Sequence, residues 1–322
     1  MTGSLLFLSK KDVEAVALPP AELVQRVERA YQVHAKGGVL VKPKTGLYTE
    51  DGKFFFSLPA ASEELGYAVT HASMGTPLDQ AQPGHHHISS LEILVDAKTT
   101  QPLAVIDALW VATFIPAAVT ALVAKYMARK DSRVAGFVAA GAQARSNLAT
   151  LREVLPLTTV LAYDEKREAA DAFVRHAQSL GFQAQAVSKP EEAVSQADVL
   201  VSSVPYMPGM APALDPAWLK PGVFVSMVDL ARSWKPGLEK LDRLLTDDKA
   251  QAVNQVRDGR LKFAGPYDTE IVELVSGARP GRRSETERAA FIHPGYAVGI
   301  LAIAAGLYER AKAQGLGTKL PL

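Results

Sequence analysis

The sequence lacks cysteine, a surplus of charge of either sign, and any long uninterrupted hydrophobic run. The absence of cysteine excludes disulfides and thiolate metal sites, and it agrees with the cytoplasmic location that we expect. The 35 basic and 34 acidic side chains leave a net charge of +1 and are scattered, so we expect neither nucleic acid nor a membrane as a partner. The apolar segment 5–8 is too short for a signal peptide. The longest apolar segment, 297–308, is interrupted by glycine and is too short to span a bilayer.

The stretch from Val134 to Arg145 has the pattern of a buried strand, a tight turn of small residues and the start of a helix. A second predicted strand is followed by Asp164, 23 residues after Gly141. This spacing is typical of a dinucleotide-binding βαβ unit, because small turn residues let the backbone approach a pyrophosphate and the helix directs free N–H groups at it. The first glycine of the usual G-x-G-x-x-G/A pattern is Ala139 here, so an ordinary strand–helix connection is the alternative.

Asp164 also indicates which dinucleotide binds. A carboxylate at this position accepts hydrogen bonds from both ribose hydroxyls and repels the extra phosphate of NADP, so we predict NAD as the cofactor. Lys166 and Arg167 follow closely and would weaken that discrimination, which leaves NADP as the alternative.

The chain of 322 residues is long enough for two domains with sizeable cores. Apolar spacing predicts a helix over 11–36, with its main part opening at 18–20 and its end at the glycines 37–38. Short strand-like pieces broken by proline and glycine then predict an antiparallel or mixed sheet. These pieces are 39–41, 54–57, 67–73, 89–95 and 103–106. An alanine-rich helix is predicted to begin at Pro116 and to end near Met127.

From Arg133 the pattern changes to strands that alternate with helices, which is typical of a doubly wound parallel sheet. The strands are predicted at 134–139, 158–163, 183–187, 198–204, 223–228 and 242–246. A last helix is predicted over about 294–314.

Further motifs occur in a fixed order along the chain. They are Asp107-Ala108 with Ala117–Ala121, Gly141-Ala142-Gln143-Ala144-Arg145-Ser146, Ala197–Ser203, Gly281-Arg282-Arg283-Ser284, Phe291 with Gly295-Tyr296-Ala297, and Ala311-Lys312 with Gly315-Leu316-Gly317. Together they resemble the motifs of the ornithine cyclodeaminase/mu-crystallin family over essentially the whole chain. The resemblance implies a two-domain NAD(P)-dependent enzyme that acts on C–N or C=N bonds next to a carboxylate, usually as a dimer.

The predicted fold is therefore α/β, with a doubly wound, Rossmann-like NAD-binding domain over 127–292. A discontinuous α+β domain for substrate binding and dimerisation covers 1–126 and 293–322, because in the family the last helix folds back onto the first domain. Strand edges and apolar faces without covering helices predict a homodimer. The expected cofactor-binding residues are Ala139, Ala140, Gly141, Ala142, Gln143, Ala144, Asp164, Lys166, Ser203, Val204, Met227, Val228 and His293.

The positive charges with which the family binds an amino-acid carboxylate are mostly absent. By the resemblance, two of their positions fall on Ala68 and Ile115, and a third is retained as Lys44. The family's aspartate for a distal amino group falls on Ile300. A less polar pocket cannot hold a carboxylate without compensation, so we expect a less charged substrate. The alternative is that Lys42, Lys44 or Arg232 replaces the missing charges, or that the placement is displaced by a residue or two. The expected pocket residues are Ala68, Ile115, Tyr206, Arg232 and Ile300.

Three residues are predicted to be catalytic. Asp229 follows a predicted parallel strand, where doubly wound folds collect ligand-binding residues, and it resembles the aspartate of the family's G-x-D-x-P motif with Val228 in place of glycine. It would transfer a proton or orient a protonated nitrogen, and a helix cap is the alternative. His71 is a second proton donor whose ordinary pKa suits neutral pH, and Lys44 is the retained cation.

The histidine run 85–87 is not expected to bind a metal. Only His85 and His87 would share one face of a strand, and no carboxylate or cysteine completes a site. A catalytic or substrate-contacting role of either histidine is an alternative, and His293 is expected near the nicotinamide. For His71 and for His293, a structural role is the equal alternative.

The predicted function is hydride transfer between nicotinamide and a C=O or C=N carbon of a small molecule. An amino-acid dehydrogenase is one alternative, and a cyclodeaminase that recycles its NAD is another, although Ile300 argues against a distal amine. The third alternative is a catalytically silent protein that binds a nucleotide and a hydrophobic ligand.

Overall fold

The computed structural model describes residues 3–16, 18–77, 80–207 and 209–322, and in it the chain divides into two units. The first unit holds the described residues up to Ile115 together with Gly295–Leu322, and the second holds Pro116–Pro294. Positions 1, 2, 17, 78, 79 and 208, which fall inside predicted ranges, lie outside the described residues.

The first unit contains a mixed sheet, as predicted, whose strands are numbered along the chain. They are β1 (Ser4–Leu8), β2 (Leu40–Val41), β3 (Thr45–Tyr48), β4 (Phe54–Ser62), β5 (Tyr67–Gly75), β6 (Ile88–Asp96), β7 (Pro102–Asp107) and β16 (Thr318–Pro321). The strand order is β16-β1-β7-β6-β5-β4-β2, and β3 also pairs with β4. Only β1 and β7 are parallel, and all other pairs are antiparallel. Strands β1, β3 and β16 were not predicted.

Helices α1 (Lys10–Val16) and α9 (Ala297–Gln314) pack on one face of this sheet, and α2 (Pro20–Ala35) packs against α9. The single helix predicted over 11–36 is wrong, because Pro19 is extended and Pro20 begins a new helix. Helix α9 is buried along most of its length, since α2 and the sheet pack against it. It ends at Gly315, whose left-handed backbone favours glycine.

The second unit contains a parallel sheet with helices between its strands, which confirms the doubly wound prediction. The strands are β8 (Val134–Val138), β9 (Thr159–Tyr163), β10 (Gln183–Ala186), β11 (Val199–Ser202), β12 (Phe224–Met227), β13 (Arg243–Thr246), β14 (Thr269–Glu270) and β15 (Ala289–Ile292). The helices are α4 (Ala142–Leu151), α5 (Arg167–Ser179), α6 (Pro190–Gln196), α7 (Lys249–Arg257) and α8 (Ile271–Val275). The strand order is β10-β9-β8-β11-β12-β15-β13-β14, so the unpredicted strand β15 separates β12 from β13.

Helix α3 (Leu109–Met127) begins earlier than predicted and contains Pro116 in its interior. Among the described helices it is long and apolar enough to cross a membrane by length and composition. Most of its side chains from Ala117 to Met127 are nevertheless buried in the protein. Its apolar character is therefore explained by packing inside the second unit.

The division between the units follows from the contacts of α3. Thr120 Oγ1 lies 2.7 Å from Ser226 Oγ, and Thr150 Oγ1 donates a hydrogen bond of 2.8 Å to the carbonyl of Ala117. Both partners belong to the second unit. The unit boundary at 115/116 is consequently earlier than the boundary at 126/127 that the sequence suggests.

Candidate active site

The predicted nucleotide-binding turn connects β8 to α4. Ala139 has a left-handed backbone with φ of 71°, a conformation that favours the glycine usual at this position. Gly141 precedes α4, and a Cβ atom added to it would meet nothing within 4 Å. The N-cap residue of α4 is Gly141 itself, which has no side chain to cap the helix. The turn therefore offers open space and backbone N–H groups, which are the two features that a pyrophosphate needs.

Asp164 lies directly beside this turn. Its Oδ2 accepts a hydrogen bond of 2.8 Å from the N–H of Ala140, and its Oδ1 accepts one of 2.9 Å from the N–H of Lys166. The carboxylate thus joins the turn after β8 to the turn after β9. This arrangement places it where the adenosine ribose lies in dinucleotide-binding folds.

The other predicted cofactor residues lie at the carboxyl ends of neighbouring strands. Ser203 follows β11, and its N–H donates to the carbonyl of Val138 at 3.0 Å. Met227 ends β12, and His293 follows β15 with its Nδ1 3.3 Å from Asp247 Oδ2. Strands β8 and β11 are adjacent although β9 and β10 intervene in sequence, which makes this edge a topological switch point. The structure therefore brings these residues to the edge where such folds bind ligands.

Asp229 lies two residues after the end of β12 and is buried. Its carboxyl oxygens accept several hydrogen bonds. Ser233 Oγ donates to its Oδ2 at 2.5 Å, and Ser202 Oγ donates to its Oδ1 at 3.1 Å. The N–H of Ala231 donates to Oδ1 at 3.2 Å. Burial raises the pKa of Asp229 above its ordinary value, while the Ser233 hydrogen bond and the charge of Arg232 oppose that rise. A carboxyl group with a raised pKa suits proton transfer near neutral pH.

The backbone after Asp229 is strained. Leu230 and Ala231 both have left-handed conformations, with φ of 59° and 57°, although neither is glycine. Trp234 holds the same segment, because its Nε1 donates to Ser202 Oγ at 3.0 Å. Strained backbone conformations persist only where the surrounding structure holds them in place, and they occur most often at functional sites.

Two arginines surround a tyrosine in the same unit. The guanidinium carbon of Arg232 lies 5.1 Å from the ring centroid of Tyr206, and that of Arg260 lies 5.4 Å from it. Burial lowers the pKa of Arg232 to about 10, and Arg260 adds to this effect while Asp229 opposes it. Tyr206 and Arg232 were predicted as pocket residues, and Arg260 was missed because it follows a helix rather than a strand.

In the first unit, His71 and Glu92 form a buried pair. They are direct partners in the register of β5 and β6, and His71 Nδ1 lies 2.9 Å from Glu92 Oε1. Burial raises the pKa of Glu92, while His71 opposes that rise. Lys44 lies on the same side of the sheet as His71, with its Nζ 4.5 Å from the ring centroid of Phe56. Glu92 was missed because the sequence shows only a carboxylate within an apolar strand.

Among the other predicted pocket residues of this unit, Ala68 does not share a face of the sheet with His71. It lies on the opposite face of β5. Successive side chains of a strand point to alternate faces, and the two residues are three positions apart. Ile115 and Ile300 are buried. The Cδ1 atom of Ile115 would lie 2.6 Å from a Cβ added to Gly299, so this isoleucine packs tightly against α9.

The histidine run lies in a loop rather than on a strand. His85 is exposed and His87 is partly buried, which lowers the pKa of His87. Within the described residues, no group of three or more histidine, aspartate or glutamate side chains is placed to hold a metal ion.

Comparison with known proteins identifies relatives over the whole chain. The model of the ornithine cyclodeaminase/mu-crystallin family matches residues 5–315. An alanine dehydrogenase of Archaeoglobus fulgidus is 30% identical, over 98% of both chains. The solved structure of an archaeal alanine dehydrogenase dimer with bound NAD aligns with a TM-score of 0.86, at 29% identity and over 99% of both chains. The Thermococcus litoralis Δ1-pyrroline-2-carboxylate reductase, solved with NADH and L-proline, aligns with a TM-score of 0.87, at 26% identity and over 98% of this chain and 99% of that one.

Proposed function

Because this chain belongs to the ornithine cyclodeaminase/mu-crystallin family, we propose that it transfers a hydride between a nicotinamide cofactor and a C=O or C=N carbon of a small substrate. It is an NAD(P)-dependent dehydrogenase or reductase, as are its relatives that act on amino acids and cyclic imines. The observation that carries the proposal is that the turn between β8 and α4 and the buried Asp229 lie at the same edge of the parallel sheet.

The cofactor is NAD, and residues of this chain are arranged to hold it. The N–H groups at the start of α4 would bind the pyrophosphate, and Gly141 leaves room for its approach. Asp164 would accept hydrogen bonds from the ribose hydroxyls while it keeps its two backbone hydrogen bonds. Lys166 is the cation through which NADP could also be accepted. When bound, the nicotinamide supplies or accepts the hydride.

Asp229 is the proposed proton donor in the reducing direction. When hydride reaches the substrate carbon, the double bond opens and its oxygen or nitrogen needs a proton. Burial raises the pKa of Asp229, which favours its protonated form, while Ser202 and Ser233 fix the orientation of the carboxyl group. In the oxidising direction the same carboxylate would accept the proton.

In the first unit, His71 is the second group that we propose for proton transfer, with Lys44 as a nearby cation. Glu92 would fix the orientation of the His71 ring. The substrate is less charged than an amino acid with a free head group, because Ile115 occupies the family's arginine position and is buried against α9. Ile300 likewise offers no carboxylate for a distal amine.

The proposed assembly is a homodimer in the cytoplasm. The face of the mixed sheet opposite α9 exposes the apolar side chains of Leu47, Phe55, Leu91 and Ile93. Association of two copies through this face would remove that apolar area from water. The relative solved as a dimer supports this proposal.

The test is NADH oxidation by the purified protein against ketones, cyclic imines, and 2-oxo acids supplied with amines. Net consumption of NADH with one of these classes is the expected result. Release of ammonia from ornithine without net consumption would instead identify a cyclodeaminase. Binding of NADH without turnover of any class would identify a nucleotide-dependent binding protein.

A further inference from the structure

A cavity of about 700 Å³ lies at the amino-end edge of the parallel sheet. Its walls are the end of α3, the segment 128–131 that leads to β8, and the segment 281–285 that leads to β15. This volume is within the range of small-molecule sites. The nucleotide turn lies at the other end of β8, which is 5 residues long and therefore roughly 15 Å in length. The cavity is thus separate from the site described above.

Cationic side chains outnumber carboxylates in the described lining of this cavity. The cations are Lys125, Arg129, Lys130 and Arg282, and the carboxylates are Asp131 and Glu285. Arg129 is only 26% exposed, whereas Asp131 and Glu285, its partners at 3.2 and 4.0 Å, are 72% and 83% exposed. Ion pairs with carboxylates that water already solvates contribute little. The lining therefore has a surplus of positive charge.

The buried carboxylate of Asp198 does not remove this surplus. It lies 3.6 Å from Arg129, but Lys220 lies closer to it, at 2.8 Å. The N–H groups of Arg133 and Val134 donate to its other oxygen. Asp198 therefore compensates a second cation besides Arg129.

Arg282 is half-buried, and its guanidinium group donates to main-chain carbonyl oxygens. Its Nε donates to the carbonyl of Met127 at 2.7 Å, and its Nη1 donates to the carbonyls of Ser284 and Glu287. Burial lowers the pKa of Arg282, the carboxylate of Glu287 opposes this effect, and the charge of Arg129 adds to it. An anion bound near Arg129 and Arg282 would reduce the repulsion between them.

We propose that this cavity binds the phosphate group of a small phosphorylated molecule, with Arg129 and Lys130 among the cations that hold it. A phosphate group offers oxygens in several directions, so it can accept hydrogen bonds from several cations at once. The cavity is larger than a phosphate ion, so it leaves room for the organic part of the molecule. This binding site goes beyond the proposed function, because it involves neither the nucleotide turn nor Asp229.

The alternative role of these cations is to cap the end of α3. Lys130 Nζ donates to the carbonyl of Lys125, and Arg282 Nε donates to that of Met127. Capping alone predicts that exposed carboxylates of the lining have no effect on the binding of an added anion.

The experiment is isothermal titration calorimetry of the full-length protein at constant ionic strength, with and without saturating NADH. The probes are ribose 5-phosphate, ribose, inorganic phosphate, and gluconate as a carboxylate of similar size. We expect ribose 5-phosphate to bind with a measurable Kd under both conditions and more tightly than the other three probes. Arg129→Gln should weaken this binding about tenfold or more, which corresponds to about 1.4 kcal/mol.

Two variants at exposed positions decide the question even if Arg129→Gln does not fold. Lys130→Gln should weaken binding about threefold, and Glu285→Gln should tighten it about twofold, because each changes the charge of the lining by one unit. Arg257→Gln is the matched control, since it removes an exposed cation outside the cavity and should leave the Kd unchanged. Circular dichroism shows whether each variant is folded.

Four results would overturn the site. They are no binding of ribose 5-phosphate, binding of any other probe that is as tight, loss of binding when NADH is present, and equal Kd values for the wild type, Lys130→Gln and Glu285→Gln. Loss of binding with NADH would assign the phosphate to the nucleotide turn instead. The readout does not include turnover, so a negative result leaves the proposed function standing.

Discussion

The Nδ1 atom of His71 lies 2.9 Å from Oε1 of Glu92, and both side chains are buried on the helix-covered face of the mixed sheet. Glu92 Oε2 has no hydrogen-bond partner among the described residues. The neighbouring pair Ser73 and Ser90 is also buried, with 2.8 Å between the two hydroxyl oxygens. Buried polar side chains are stabilised by hydrogen bonds to one another, because water does not reach them. Removal of one side chain therefore leaves its partner buried without a hydrogen bond.

Removal of one member of the His71–Glu92 pair should lower the free energy of unfolding more than removal of both members does. His71→Leu leaves a buried carboxyl group without its partner, so we expect the free energy of unfolding to fall by about 3 kcal/mol. In the double variant with Glu92→Leu, much of that loss should be recovered, because no unpaired group remains. Urea unfolding of both single variants and of the double variant measures this coupling. Additive effects of the two substitutions would contradict it.

Asp229→Asn should lower the rate of hydride transfer by a factor of about 100 or more while it changes substrate affinity little, because the proposed proton donor is lost. The rate of reduction by the wild type should fall as pH rises through the raised pKa of Asp229, and the variant should lack this dependence. Steady-state kinetics over pH measures both effects. Asp171→Asn, an exposed carboxylate on α5 that pairs with Arg167, is the control and should behave as the wild type does.

The same pKa shift predicts how stability depends on pH. As pH rises above the ordinary value of 3.8, the unfolded chain loses the Asp229 proton first, while the folded protein keeps it until its raised pKa is reached. Between these two pKa values, the wild type should therefore lose stability relative to Asp229→Asn as pH rises. Above the raised pKa, the difference in unfolding free energy between the two proteins should stay constant. Urea unfolding of both proteins at a series of pH values measures the difference. A wild type whose stability rises relative to Asp229→Asn as pH rises through this range would contradict the raised pKa.

Asp164→Ser should reduce the preference for NAD over NADP, because the proposed ribose acceptor and the charge proposed to repel a 2′-phosphate are both removed. The turn should also loosen, since Asp164 accepts the N–H groups of Ala140 and Lys166. Fluorescence titration with NADH and NADPH measures the preference, and Glu165→Ser removes a neighbouring exposed carboxylate as the control. A tenfold preference of the wild type for NADP would show that the role given to Asp164 is wrong.

Ile115→Arg should destabilise the protein by about 3 kcal/mol rather than restore amino-acid binding. The side chain is buried and packs against Gly299, so an arginine would place an unpaired cation among apolar groups. Ile115→Val, which keeps the apolar character, should cost only about 1 kcal/mol. Chemical unfolding measures both changes. Efficient turnover of alanine or ornithine by the wild type would contradict the inference about the substrate.

Ile93→Lys should dissociate the proposed homodimer, because it places a charge in the centre of the exposed apolar face of the sheet. Val253→Lys on α7 is the control, since that valine is also exposed but lies in the other unit. Light scattering at micromolar concentration measures the mass of each variant. A monomeric wild type under these conditions would disprove the dimer.

Local patterns were sufficient to predict most of the second unit. The alternation of apolar strands with helices predicted six strands of the parallel sheet, but it missed β14 and β15. Strand β15 is short and completes the sheet between β12 and β13, which only long-range pairing reveals. The start of α3 was missed for a different reason. Proline usually marks a first helical turn, whereas Pro116 lies in the interior of α3.

The sequence by itself determined the family, the doubly wound sheet and the positions of the nucleotide turn and Asp164, because these depend on short-range periodicity and on residue types at fixed spacing. The tertiary structure alone decided which side chains meet. His71 and Glu92 are 21 residues apart and become partners through the register of two strands. Arg260 reaches Tyr206 through the path of a loop. Register and loop path depend on the packing of the whole unit, which no local pattern of residues encodes.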